Sequence, residues 1–136
     1  MPLMTWTEKL SVGVEVLDDD HKKLVGMVNE LHDKMKAGHG KEALGKVLDE
    51  LVNYTKFHFE REERFFAKTG YPAAFAHKQQ HDDLTKQVLD VQTKYKGGAV
   101  ATLSLDVMDF LRNWLVNHIQ GSDQKYGPHL NAQGIH

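Results

Sequence analysis

A chain of 136 residues, 40% apolar and 26% charged, can bury one core without covalent staples and has the balance of a globular domain. Its net charge of −2 gives no field to draw in nucleic acid or an anionic membrane, and the lack of cysteine excludes disulfides, thiolate metal sites and cysteine nucleophiles. No run approaches the length of a membrane span, and the opening residues show no apolar run flanked by basic ones, so a cytoplasmic location is expected. The unusual feature is nine histidines.

The chain opens with a non-helical arm in which Trp6 and Val12-Gly13-Val14 lack a helical period, Trp6 being placed to plug one side of a core. Asp18-Asp19-Asp20 reads as the N-cap and first-turn negative charge of a first helix. In it His21, Leu24, Val25, Val28, Leu31, His32 and Met35 share one face by three- and four-residue steps, and Gly38-His39-Gly40 ends it. A second helix is predicted from about Lys41 to Lys68, with Leu44, Val47, Leu48, Leu51, Thr55, His58, Glu62 and Phe65 or Phe66 inward. Gly70 stops it, and Pro72 can start a third helix to about Lys96, with the stripe Ala74, His77, His81, Leu84, Val88, Val91 and Tyr95. Gly97-Gly98 closes that helix. Thr102 or Ser104 caps a fourth, which turns Val107, Leu111, Trp114, Leu115 and His118 inward and ends at Gly121. From Tyr126 through Pro128 to His136 an irregular, partly mobile tail is expected.

Four amphipathic helices joined by short loops predict an all-α, antiparallel up-down-up-down four-helix bundle. Residues 1–136 form one domain in this reading, with an irregular N-terminal arm and a short C-terminal tail. His58 and Glu62, and likewise His77 and His81, are spaced i, i+4, so each pair shares a helical face one turn apart. His21 lies near the start of helix one, His58 and Glu62 toward the end of helix two, His77 and His81 near the start of helix three, and His118 at the end of helix four. In an antiparallel bundle these are all one end. Asp123 follows His118 by five residues, which leaves it about 140° away on an unbroken α-helix. It can join the set only if the backbone changes course, and Gly121-Ser122 is the expected place.

A lone inward histidine is usually a hydrogen-bonded core residue, but a dry core could not satisfy five imidazoles and two carboxylates without metal. Five imidazole bonds, two bridging carboxylates and one bridging solvent oxygen would fill about eleven of the twelve positions around two octahedral ions. The vacancy suits a small ligand such as O2. His32, His39, His129 and His136 read as ordinary surface or edge histidines. Within Glu60-Arg61-Glu62-Glu63-Arg64 only Glu62 is in phase with His58, and the rest read as a solvated face. Leu24, Trp114 and Leu115 are first of all core residues, but their spacing from His21 and His118 also makes them walls of a gas pocket.

The pattern H…HxxxE…HxxxH…HxxxxD, here His21, His58/Glu62, His77/His81 and His118/Asp123, resembles the hemerythrin family, and its single-domain bacterial type in particular. The resemblance runs from Trp6 through WLVNHIQGSDQKYGP and is specific as a set of seven, whereas any single pair is weak. It implies two non-haem iron ions joined by an oxo or hydroxo bridge. One iron would take His77, His81 and His118, the other His21 and His58 with the vacant position, and Glu62 and Asp123 would bridge. It also implies reversible dioxygen binding for transport, storage or delivery, without catalytic residues. The expected working form is a monomer that supplies an O2-consuming partner protein. The alternatives are a di-iron oxidase, a nitric oxide or peroxide reductase, or an oxygen- or iron-sensing module. Against an enzyme, O2-activating bundles typically use carboxylate-rich sites with Glu-x-x-His pairs, whereas neutral histidines dominate here. Against a sensor, the chain adds no signalling domain.

Overall fold

The first helix begins one turn before the aspartate triplet that reads as its cap. In the computed structural model, which describes residues 3–38, 41–97 and 105–136, α1 spans Glu15–Lys36. Val14 and Leu17 are both 0% exposed, so burying them draws the chain into helical geometry early, and Gly13 at φ 79° provides the turn. Asp18 is therefore no cap and holds the arm instead. Its Oδ1 accepts from the Val12 N–H at 2.8 Å and its Oδ2 from the Ser11 hydroxyl at 2.6 Å. Asp20 is also no cap, since it points inward and is buried.

The second and third helices, α2 (Lys41–Thr69) and α3 (Ala74–Lys96), meet at a turn where Gly70 adopts φ 65°. Pro72 lies in that turn, so α3 starts two residues later than proline's preference for a first turn suggests. The fourth helix, α4, covers Leu105–His118. The expected cap at Thr102 or Ser104, His39 and the side chain of Val107 lie outside the described residues. No strand occurs among the described residues. Leu24, Val28, Leu31, Leu48, Leu51, Val88 and Leu111 from the predicted stripes are buried in one apolar core, which also takes in Met108, not expected there. Trp6 is half-buried and packs against this core. His32 is buried too, because it extends the stripe of α1, and so is no surface histidine.

Past His118 the helix does not stop at Gly121. Ile119–Asp123 forms a π-helical turn, closed by the Gln124 N–H donating to the Ile119 carbonyl, and α5 (Gln124–Ala132) continues from it. The tail expected to be irregular is mostly helix. Tyr126 and Leu130, one turn apart, are both 0% exposed, and this burial outweighs Pro128, which stays on the exposed side. The arm clasps α5. Asn131 Nδ2 donates to the Gly13 carbonyl at 3.0 Å, and Gln124 Nε2 donates to the Lys9 carbonyl at 2.5 Å. At Gly127 a Cβ would lie 2.2 Å from the Val12 carbonyl oxygen, so only glycine lets the arm come this close.

Candidate metal centre

Helix periodicity sets the donors out in pairs. His58 and Glu62 stack on one face of α2, and His77 and His81 on one face of α3. His21 comes from the second turn of α1 and His118 from the last turn of α4. These positions converge only if neighbouring helices alternate in direction, as in an up-down-up-down bundle. The π turn then brings in Asp123. Its i→i+5 closure brings the carboxylate to Nε2 of His118, and the Ser122 hydroxyl donates to Gln80 of α3. All seven predicted donors come together, and none is more than 8% exposed.

The two carboxylates divide the imidazoles into two groups. Asp123 Oδ1 lies 2.9 Å from both His77 Nε2 and His118 Nε2, while Oδ2 lies 3.0 Å from His21 Nε2. Glu62 Oε1 lies 2.9 Å from His81 Nε2 and 3.7 Å from His77 Nε2. Its Oε2 faces His58 Nε2 at 3.4 Å and His21 Nε2 at 3.6 Å. One oxygen of each carboxylate therefore belongs to a three-histidine group and the other to a two-histidine group. The five Nε2 atoms, Glu62 Oε1 and both Asp123 oxygens are buried without a hydrogen-bond partner among the described residues. So many unpaired buried atoms would be costly in a dry core. As imidazole and carboxylate donors aimed at two common points, they fit a pair of divalent cations.

Outer partners hold the rings in place. Asp20 Oδ2 lies 2.9 Å from His58 Nδ1, and Asp20 Oδ1 accepts from the Tyr54 hydroxyl at 2.6 Å with Arg61 at 3.4 Å. Glu63 Oε2 lies 2.9 Å from His81 Nδ1. Such carboxylates fix the tautomer so that Nε2 is the free donor. Glu63 is thus not merely part of a solvated face. The Tyr126 hydroxyl donates to Glu62 Oε2. The sequence reading gave none of these three a place at the site. His129, expected at the surface or an edge, is half-buried with Nε2 3.1 Å from the Thr69 carbonyl, at the end of α2.

Burial disfavours charge on His58, but Glu62 and Asp20 outweigh it and hold the pKa up at about 10. At His77 burial is likewise overcome, by Asp123 and Glu62, which raise it to about 9. His21 is raised by Asp123 and Glu62 against the same penalty. Burial pushes Glu62 up, yet His58, His21 and His77 keep it well below the usual carboxylate range. Burial and Glu62 push Asp123 up, and His118 and His21 bring it below that range. Burial, then the charges of Glu62 and Asp123, raise the Tyr126 phenol, so it stays a neutral donor. Without metal, protons on His21, His58 and His77 supply positive charge that the carboxylates demand.

A cavity of about 10 Å³ adjoins the site, walled by Leu24, Phe59, Leu84, Trp114 and Leu115 and floored by His21, His58, His118 and Asp123. Such a volume holds a ligand no larger than one water or a diatomic gas. Leu24, Trp114 and Leu115 therefore all face the donors. Trp114 is anchored by its Nε1–H, which donates to the Leu84 carbonyl at 3.2 Å.

A bundle with this centre belongs to the class of histidine-rich metal-binding four-helix proteins. Residues 12–130 match the hemerythrin HHE cation binding domain. The chain is 44% identical to the bacteriohemerythrin of Methylococcus capsulatus, over 97% of this chain and 100% of that one. It is 35% identical to that of Stenotrophomonas maltophilia, over 97% of this chain and 84% of that one. A solved structure of wild-type hemerythrin superposes with a TM-score of 0.86 at 43% identity, covering 94% of this chain and 98% of that one. A leucine-to-tyrosine variant of hemerythrin superposes with a TM-score of 0.89 at 42% identity, over 96% and 98%. The chain belongs to the hemerythrin family, non-haem iron proteins that bind dioxygen and are not enzymes. No helix among the described residues is long and apolar enough to cross a membrane.

Proposed function

We propose that this chain binds dioxygen reversibly at two iron ions, as a carrier, store or delivery protein. His77, His81 and His118 would hold one iron, His21 and His58 would hold the other, and Glu62 and Asp123 would serve both. The reading rests on the division of each carboxylate between the two histidine groups, which gives five donor residues around one point and four around the other. With one bridging solvent oxygen, an iron held by the four-donor group would keep a position open. That group, His21 and His58, lies on the floor of the cavity.

When bound, the iron pair supplies the electrons that make O2 binding possible. The chain's own residues do the rest. Asp20 and Glu63 aim the His58 and His81 rings through their Nδ1 atoms. Leu24, Phe59, Leu84, Trp114 and Leu115 admit a small apolar gas and keep water and protons out. Two carboxylates and a bridging hydroxide would leave roughly +1 on a pair of divalent ions, far less than an unpaired buried ion would carry.

The test is iron analysis together with an optical spectrum. Two irons per chain are expected, with a charge-transfer band that appears when air reaches the reduced protein, fades on O2 removal and returns on readmission. One metal per chain, or steady consumption of O2 and reductant, would overturn the proposal.

A further inference from the structure

The two oxygens of Glu62 are not equivalent, and the cause is Tyr126. Its hydroxyl donates to Oε2, the oxygen that faces His58 at 3.4 Å and His21 at 3.6 Å. Oε1, facing His81 at 2.9 Å, accepts no hydrogen bond among the described residues. Tyr126 has little freedom to turn away. It is 0% exposed, its ring packs on Phe66 with centroids 5.3 Å apart, and the arm presses on its neighbour Gly127.

A carboxylate oxygen that accepts a hydrogen bond has less electron density left for a cation. We propose that Tyr126 is a positioning residue that makes the two metal positions unequal. It draws donor strength from Oε2, so that Glu62 binds chiefly through Oε1 to the three-histidine position and weakly to the two-histidine one. The two-histidine position already has one imidazole fewer, and the cavity opens beside it. Tyr126 therefore keeps the metal on the cavity side loosely held and open to exchange of a small ligand. The inference rests on the proposed bridging by Glu62 and assigns the asymmetry of the bridge to one hydroxyl.

The test is calorimetric titration of metal-free protein with Co(II), with and without Tyr126→Phe, which removes the hydroxyl and keeps the ring. Wild type should bind two ions in a tighter and a weaker step. In the variant the weaker step should tighten about tenfold while the tighter one stays put, the size expected for a charge-assisted hydrogen bond. The Co(II) absorption of the second equivalent should also weaken, as Glu62 joins its donors and its coordination number rises. Two wild-type steps with unchanged spacing in the variant, or both steps weakened equally, would overturn this proposal. A wild type that binds one ion would instead overturn the proposed dimetal function. Metal-free melting curves establish that the variant folds, and Tyr126→Leu repeats the measurement if it does not.

Discussion

His118 and Asp123 stand five residues apart, yet His118 Nε2 lies 2.9 Å from Asp123 Oδ1. An α-helix would separate them by about 140°, and the π turn at Ile119–Asp123 removes that angle without breaking the helix. Gly121, within the turn, is exposed, is absent from the positive-φ glycines, and has nothing within 4 Å of where a Cβ would sit. Its special freedom is therefore not needed. Gly121→Ala should keep metal content and stabilise the chain by about 0.4–1 kcal/mol, mainly by restricting the unfolded state. A fall in melting temperature with loss of metal would show that the turn does need glycine.

Gly127 is the opposite case. A methyl group there meets the Val12 carbonyl oxygen at 2.2 Å, backbone against backbone. Gly127→Ala should cost about 1–3 kcal/mol. It should also lower metal retention, because α5 carries Tyr126 and follows directly on Asp123. Denaturant titration alongside metal analysis checks both parts, and an unperturbed variant would mean that the arm yields freely.

The proposed bridging would tie metal content to stability. Glu62→Ala or Asp123→Ala should reduce metal to one ion per chain or fewer and lower the melting temperature at the same time, because metal bound only by the folded state stabilises it. Retention of two ions at an unchanged melting temperature in either variant would exclude the bridge.

The metal-free and metal-loaded forms should differ in pH response. His58 and His77 are raised from 6.5 to about 10 and about 9, so their contribution is full below pH 6.5 and is lost as pH rises through those values. Glu62 and Asp123 are lowered, so their contribution is present above their ordinary values of 4.5 and 3.8 and lost only at lower pH. Metal-free protein should therefore lose melting temperature between about pH 7 and 10, where His58 and His77 give up their protons. Metal takes the place of those protons, so the loaded form should stay nearly flat. Parallel profiles would argue against metal and protons competing for the same nitrogens.

Leu115 is 4% exposed and lines the cavity three residues before His118. Leu115→Asn should retain iron but bring a polar group and water to the floor of the cavity, shortening the lifetime of the oxygenated band in air. An unchanged lifetime at equal iron content would leave Leu115 a core residue only.

The convergence of the seven candidate donors was legible because inward phase, i, i+4 spacing and alternating helix direction all point to one end of the bundle. Their outer partners were not. Asp20 stands next to His21 in sequence but reaches His58 on α2, and Glu63 stands next to Glu62 but reaches His81 on α3. A residue beside a donor lies about 100° round its own helix, over the seam with the next one. Only packing decides whether it meets water or a ring there. The tail misread has a similar cause, since Gly121 and Pro128 look like breaks until the burial of Tyr126 and Leu130 is known.

The clasp between arm and α5 bears on the order in which the molecule assembles. Its hydrogen bonds join residues 113 to 118 positions apart, among the longest closures the chain makes. Helices form locally and early, whereas such a closure waits until nearly everything between has been ordered. Asp123 and Tyr126 lie within or beside the segment that this closure fixes. The last donor should therefore reach its place late in folding, and metal captured earlier would sit in a half-built cradle that lacks Asp123.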